Sequence, residues 1–153
     1  RSSILEAPQG AVVVTTIPYS PWLRGNEVAD ELWQAGQRLR ISSLSPWLVL
    51  HHEPPADTAV GGPMGDPELF YKIREYSPDF VISGHLHAQP YKGSFADKIG
   101  GTWCFNPGCP EPTRAMKSKI PNHIALNLSA RTATWYATPN VGQVPIFKEM
   151  RLT

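Results

Sequence analysis

The strongest constraint on this fold is a pair of short apolar runs, PWLVL at 46–50 and DFVIS at 79–83, each followed almost at once by two histidines. Between them, Asp66-Pro67 supplies a helix N-cap and a first-turn proline, and Leu69, Phe70, Ile73 and Tyr76 recur at helical spacing up to Ser77-Pro78. Strand, helix and strand in that order make a βαβ unit, whose crossover sets the two strands parallel and adjacent, about 4.8 Å apart. His51-His52 and His85-Leu86-His87 then leave the sheet at one edge, the carboxyl edge, where open α/β sheets bind their ligands. If Gly84-His85-Leu86-His87 stays extended, His85 and His87 share a face and Leu86 turns away. Gly84 keeps that approach clear of a side chain, and Pro54-Pro55 stiffens the loop that presents His52.

The remaining chain fits around this unit. AVVVTTI at 11–17 reads as a buried strand closed by Pro18. From Asn26, a good N-cap, Val28, Leu32, Trp33 and Leu39 mark an amphipathic helix. GTWCFNPG at 101–108 reads as a strand ending in a turn, and HIALNLS from His123 with TATWYA from Thr132 alternates as a hairpin. The result is one domain, 1–153, of mixed α/β class with a βαβ part and a β-hairpin part. Sixteen prolines and twelve glycines place many residues in loops, above all the segment 53–66, which has the position to border a substrate pocket.

A net charge of +1 gives no nucleic-acid footprint. No apolar run approaches a membrane span and no signal peptide opens the chain, so a cytoplasmic location is expected. Cys104 and Cys109 are expected as thiols without a disulfide, and the five tryptophans as packing residues. Arg114 and Lys117 to Lys119 are expected in a solvated loop. A lone histidine is usually structural, but two clusters meeting at one sheet edge point to a site for Zn, Mn, Fe or a related ion. A metallo-β-lactamase-like H-x-H-x-D-H fails here, because Gln89 and Pro90 stand after His87. A cupin would supply H-x-H without the crossover helix.

LVLHHEPP, with His52-Glu53-Pro54, and DFVISGHLH, with Gly84-His85-Leu86-His87, resemble the H-x-P and G-H-x-H motifs of the calcineurin-like metallophosphoesterases. FNPGC at 105–109 is similar to the Asn-Pro-Gly turn of that family. The resemblance covers about 46–137 and implies the C-terminal half of a four-layer α/β/β/α sandwich. It also implies two divalent ions, with His52 and His85 on one, His87 on the other, and His51 behind them or as an alternative ligand. The implied substrate is a small phosphoester. The family's earlier D-x-H, G-D-x-x-D and G-N-H-D/E motifs are not in this sequence, whose first residue is Arg1. The expectation is therefore a partial domain whose catalytic histidine and N-terminal half lie upstream, inactive alone. A non-catalytic metal-binding or interaction module is the alternative.

Overall fold

The computed structural model describes residues 1–7, 10–18, 27–109, 122–137, 144 and 146–153. Its elements, in chain order, are β1 (Ser2–Ala7), β2 (Gly10–Thr16), α1 (Glu27–Ser43), β3 (Trp47–Leu50), α2 (Pro67–Tyr76), β4 (Phe80–Ile82), α3 (Gln89–Lys92), β5 (Ala96–Ile99), β6 (Thr102–Phe105), β7 (His123–Asn127), β8 (Thr132–Ala137) and β9 (Ile146–Arg151). Among the described residues the strands form a six-stranded sheet, ordered β1-β2-β3-β4-β6-β5, and a three-stranded sheet, β7-β8-β9. Strands β2, β3, β4 and β6 run parallel, while β1 and β5 pair antiparallel at the two edges. The predicted βαβ unit is therefore present, with Leu48, Val49 and Leu50 opposite Phe80, Val81 and Ile82.

Strand alternation divides the core in two. Val13, Trp47, Val49, Val81 and Cys104 face the helices, where Trp33, Leu69, Ile73 and Tyr76 meet them. Phe80, Ile82, Trp103 and Phe105 face the three-stranded sheet and pack against Ala133, Trp135 and Ala137. A parallel sheet buried on both faces reads as continuous apolar sequence, which is why VVV, LVL and FVI were legible. The predicted hairpin is β7-β8, with His123 opposite Tyr136 and Asn127 opposite Thr132. Three strands escaped the pattern. β1 carries Ser2, Ser3 and Glu6, β5 carries Asp97 and Lys98, and the residues of β9 are exposed up to Met150, so none shows a buried run. Asn26 and the stretch 110–121, with Arg114 and Lys117 to Lys119, lie outside the described residues.

Cys104 and Cys109 are free thiols, as expected. Burial pushes the Cys104 thiol up to about 12, and the nearby Asp97 charge adds to it. Among the described residues no helix is long and apolar enough to cross a membrane.

Helix α1 lies close against the sheet at Gly36. A Cβ there would lie 2.6 Å from Trp47 Cζ2 and would also collide with Thr15 Oγ1. Trp47 has no freedom to yield, because its fully buried ring donates Nε1–H to Thr15 Oγ1 at 3.0 Å. Gly36→Ala gains about 1 kcal/mol of helix propensity and costs about 1–3 kcal/mol through overpacking. Thermal denaturation is expected to show a lower Tm.

Helix α2 begins on Asp66, which accepts from the backbone N–H of Glu68 at 2.9 Å and of Leu69 at 3.3 Å. Its other oxygen lies 3.3 Å from His51 Nε2, so one buried carboxylate ties the helix to the end of β3. Burial raises the Asp66 pKa, but the His51 contact and the two N–H donors outweigh it and hold the group below its usual 3.8. A depressed carboxylate contributes stability that is complete above about pH 4 and is lost as pH falls through the folded value. Urea denaturation at pH 6 and pH 3 is expected to show that loss in the wild type and a flatter response in Asp66→Asn. The amide keeps the cap, and Asp66→Ala is expected to cost at least about 1 kcal/mol more at pH 6.

Candidate functional site

The β3–β4 ladder does not stop with the strands. His51 N–H donates to Ile82 O at 3.1 Å, and Gly84 N–H donates to His52 O at 3.0 Å. These bonds carry the two histidine segments side by side beyond the carboxyl edge. A Cβ at Gly84 would meet only His52 O, at 4.0 Å, an ordinary contact, so the close pairing of the two segments does not itself require glycine. On the next ladder, Ser83 N–H donates to Phe105 O, which brings the Asn-Pro-Gly turn to the same edge. The Ser83 hydroxyl is buried and has no hydrogen-bond partner among the described residues.

Gly84-His85-Leu86-His87 does not stay extended, which corrects the expectation that His85 and His87 share a face by strand alternation. Leu86 N–H turns back to Gly84 O at 2.7 Å, and His85 between them has φ +59°. A non-glycine residue in a three-residue turn with positive φ is strained, and such residues concentrate at functional sites. The turn swings the His85 ring onto His52. His52 Nε2 and His85 Nδ1 are 3.0 Å apart, with the ring centroids at 4.7 Å.

The neighbouring His51 goes elsewhere. Its Nδ1 lies 3.2 Å from Ile17 O and its Nε2 faces Asp66, in a side chain only 7% exposed. Both ring nitrogens thus meet oxygens of the fold, and the structure places His52, not His51, against His85. His87 is exposed and lines a depression of about 380 Å³ together with His85, Gly61, Pro63, Met64 and Lys92. The loop 53–66 therefore does border the histidine edge. His123 is remote in partners, its ring stacked on Tyr136 at 4.6 Å.

Two groups at this edge were not read from the sequence. Glu53 is buried, and its Oε1 lies 3.8 Å from His85 Nε2. Asn106, fully buried, donates from Nδ2 to Val60 O and to Leu86 O, both at 3.1 Å, and its Oδ1 accepts from Gly108 N–H at 2.9 Å. One amide thereby joins the Pro/Gly loop, the histidine turn and the Asn-Pro-Gly turn. The Asn-Pro-Gly signature pointed to Asn106 but not to this role, and no local signal marked Glu53.

Two nitrogens bound to one ion at about 2.1 Å each stand roughly 3.0–3.4 Å apart, so the His52–His85 pair has the spacing of two ligands to a shared ion. The pair is not a complete site. Among the described residues no three His, Cys, Asp or Glu side chains form a group that could hold a metal ion. The structure thus brings His52 and His85 together, with Glu53 behind them, while His87 lines the depression that His85 also borders.

No family model matches the sequence, and no curated protein matches it. Solved structures do. The whole chain aligns with 54% of GAP50, the anchor in the inner membrane complex of Plasmodium, at a TM-score of 0.53 and 14% identity. Weaker likenesses are to TT1561 of Thermus thermophilus, covering 87% of this chain and 51% of that one (TM-score 0.48, 15% identity), and to Vps29 of Entamoeba histolytica complexed with zinc, covering 99% and 61% (TM-score 0.43, 14% identity). The chain spans about half the length of the first structures it matches. At this identity the likeness is one of fold, and the fold is mixed α/β, with a mixed sheet between a helical layer and an antiparallel sheet.

Proposed function

We propose that this chain supplies part of the dinuclear metal site of a phosphoester hydrolase related to the calcineurin-like metallophosphoesterases. His52 and His85 hold one ion, and His87 serves its neighbour. The observation that carries this reading is the 3.0 Å approach of His52 Nε2 to His85 Nδ1, made by a turn in which His85 has a positive φ. The order of motifs agrees with it, H-x-P after β3, G-H-x-H after β4 and Asn-Pro-Gly after β6, all at the carboxyl edge of the parallel strands.

When bound, a pair of divalent ions supplies a hydroxide nucleophile and neutralises phosphoryl oxygens. The chain's own residues have narrower tasks. His52 and His85 offer two ring nitrogens just beyond the ends of β3 and β4. Asn106 fixes the backbone of the histidine turn through Leu86 O. Lys92 places a cation in the depression beside His85 and His87, suited to the anionic oxygens of a small phosphoester. Bridging carboxylates are needed to hold two ions close together, and this reading assigns them to sequence beyond these 153 residues. The second reading is a metal-binding or interaction module without catalysis, and it is favoured by the lack of a third donor beside the pair among the described residues.

Zinc titration of the purified chain, followed by the imidazole NMR signals and by calorimetry, tests the metal half of the proposal. Zinc is expected to move the His52 and His85 signals together, and His52→Ala or His85→Ala is expected to weaken binding by about tenfold or more. Signals that stay in place at millimolar zinc would overturn it. Hydrolysis of bis(p-nitrophenyl) phosphate is expected to be absent in this chain alone, and turnover by it would overturn the assignment of the remaining ligands elsewhere.

A further inference from the structure

We propose that Glu53 is a positioning residue for His85, setting the tautomer in which that ring presents Nδ1. The inference deepens the metal reading above and rests on it for its purpose, though not for its geometry. His85 has chemically different neighbours on its two nitrogens. Nδ1 faces the His52 ring at 3.0 Å, and Nε2 faces the Glu53 carboxylate at 3.8 Å, which is ion-pair reach rather than a formed hydrogen bond. A carboxylate only accepts, whereas an imidazole nitrogen either donates or accepts. The tautomer that suits both contacts carries its proton on Nε2, toward Glu53, and leaves the Nδ1 lone pair toward His52.

The fold holds Glu53 to this task. Its side chain is 12% exposed beside a His85 that is 47% exposed, so the carboxylate lies behind the ring, away from solvent. Pro54, fully buried, and Pro55 follow it and remove backbone freedom on that side. On the other side, His52 is pinned through its carbonyl to Gly84 N–H. Glu53 and His85 therefore cannot easily drift apart.

With His85 in this tautomer, its Nδ1 accepts from His52 Nε2–H. The same Nδ1 lone pair would be available to an ion without a change of tautomer at His85. A carboxylate behind a metal-binding histidine orients the ring and raises its basicity, and removing such a partner typically weakens metal affinity about 10–100-fold.

Long-range ¹H–¹⁵N spectra of the imidazoles in the metal-free chain at pH 8 read the tautomer directly. His85 is expected mainly as Nε2–H in the wild type, as a mixture of both tautomers in Glu53→Ala, and largely restored in Glu53→Gln, whose amide oxygen keeps an acceptor in place. Calorimetry with zinc alone is expected to show affinity about 10–100-fold lower in Glu53→Ala and less affected in Glu53→Gln. A wild-type His85 found mainly as Nδ1–H, or a tautomer ratio unchanged in Glu53→Ala, overturns the proposal. A ratio that follows Glu53 in a chain that binds no zinc upholds the positioning role and overturns the metal reading instead.

Discussion

The hydrogen bonds that extend the β3–β4 ladder past its last strand residues govern everything at the candidate site. His51 N–H to Ile82 O and Gly84 N–H to His52 O are ordinary backbone bonds, yet they bring two segments 33 residues apart in sequence into fixed register. Parallel strands allow this and antiparallel ones do not, because only a parallel pair sends both carboxyl ends the same way. The α2 crossover makes the pair parallel, and the Asp66 cap sets where α2 begins. The histidine contact is thus the last step of a sequence that begins with helix and strand propensities.

The sheet is held on both faces, at the amino ends of β3 and β4 by the helical layer and at their carboxyl edge by the three-stranded sheet. On the helical face, Trp47 fills the space under Gly36 and bonds Thr15, while Asp79 accepts from Trp47 N–H at 2.8 Å and from Arg40 at 3.0 Å. On the other face, Trp135 donates Nε1–H to Pro107 O at 2.9 Å and stacks on Phe95, tying the three-stranded sheet to the Asn-Pro-Gly turn. Asn106 closes the circuit between that turn and the histidine turn. A strained residue such as His85 persists only where its surroundings over-determine it, and the bonds of Asn106 to Leu86 O and of Gly84 N–H to His52 O supply that constraint.

Legibility in the sequence followed burial. Strands β2, β3, β4 and β6 lie inside a parallel sheet, and their apolar runs announced them, as the Asp66-Pro67 and Ser77-Pro78 pairs announced the ends of α2. The edge strands β1 and β5 gain their place from pairing rather than from composition, so Ser2, Ser3, Asp97 and Lys98 concealed them. The two histidine clusters were visible because type and topology agreed. The turn at His85 was not, because it arises from a backbone bond between Gly84 and Leu86 and from the tertiary ties of Leu86, and histidine adopts positive φ too seldom to announce it. Glu53 was hidden for a related reason: its meaning lies in a ring 32 residues away.

The adjacent His51 and His52 show how one chain position separates structure from chemistry. Successive side chains on an extended segment point to opposite faces. His51 follows Trp47 and Val49 toward the helical layer, where Ile17 O and Asp66 hold both its nitrogens. His52, on the opposite face, meets His85 instead. Parity counted from the buried Trp47 therefore sends His51 inward and leaves His52 to meet His85. A one-residue slip of β3 would bring Trp47 and Val49 out of the core together with His51, a loss of two fully buried side chains, so the register of the histidines is fixed by the core.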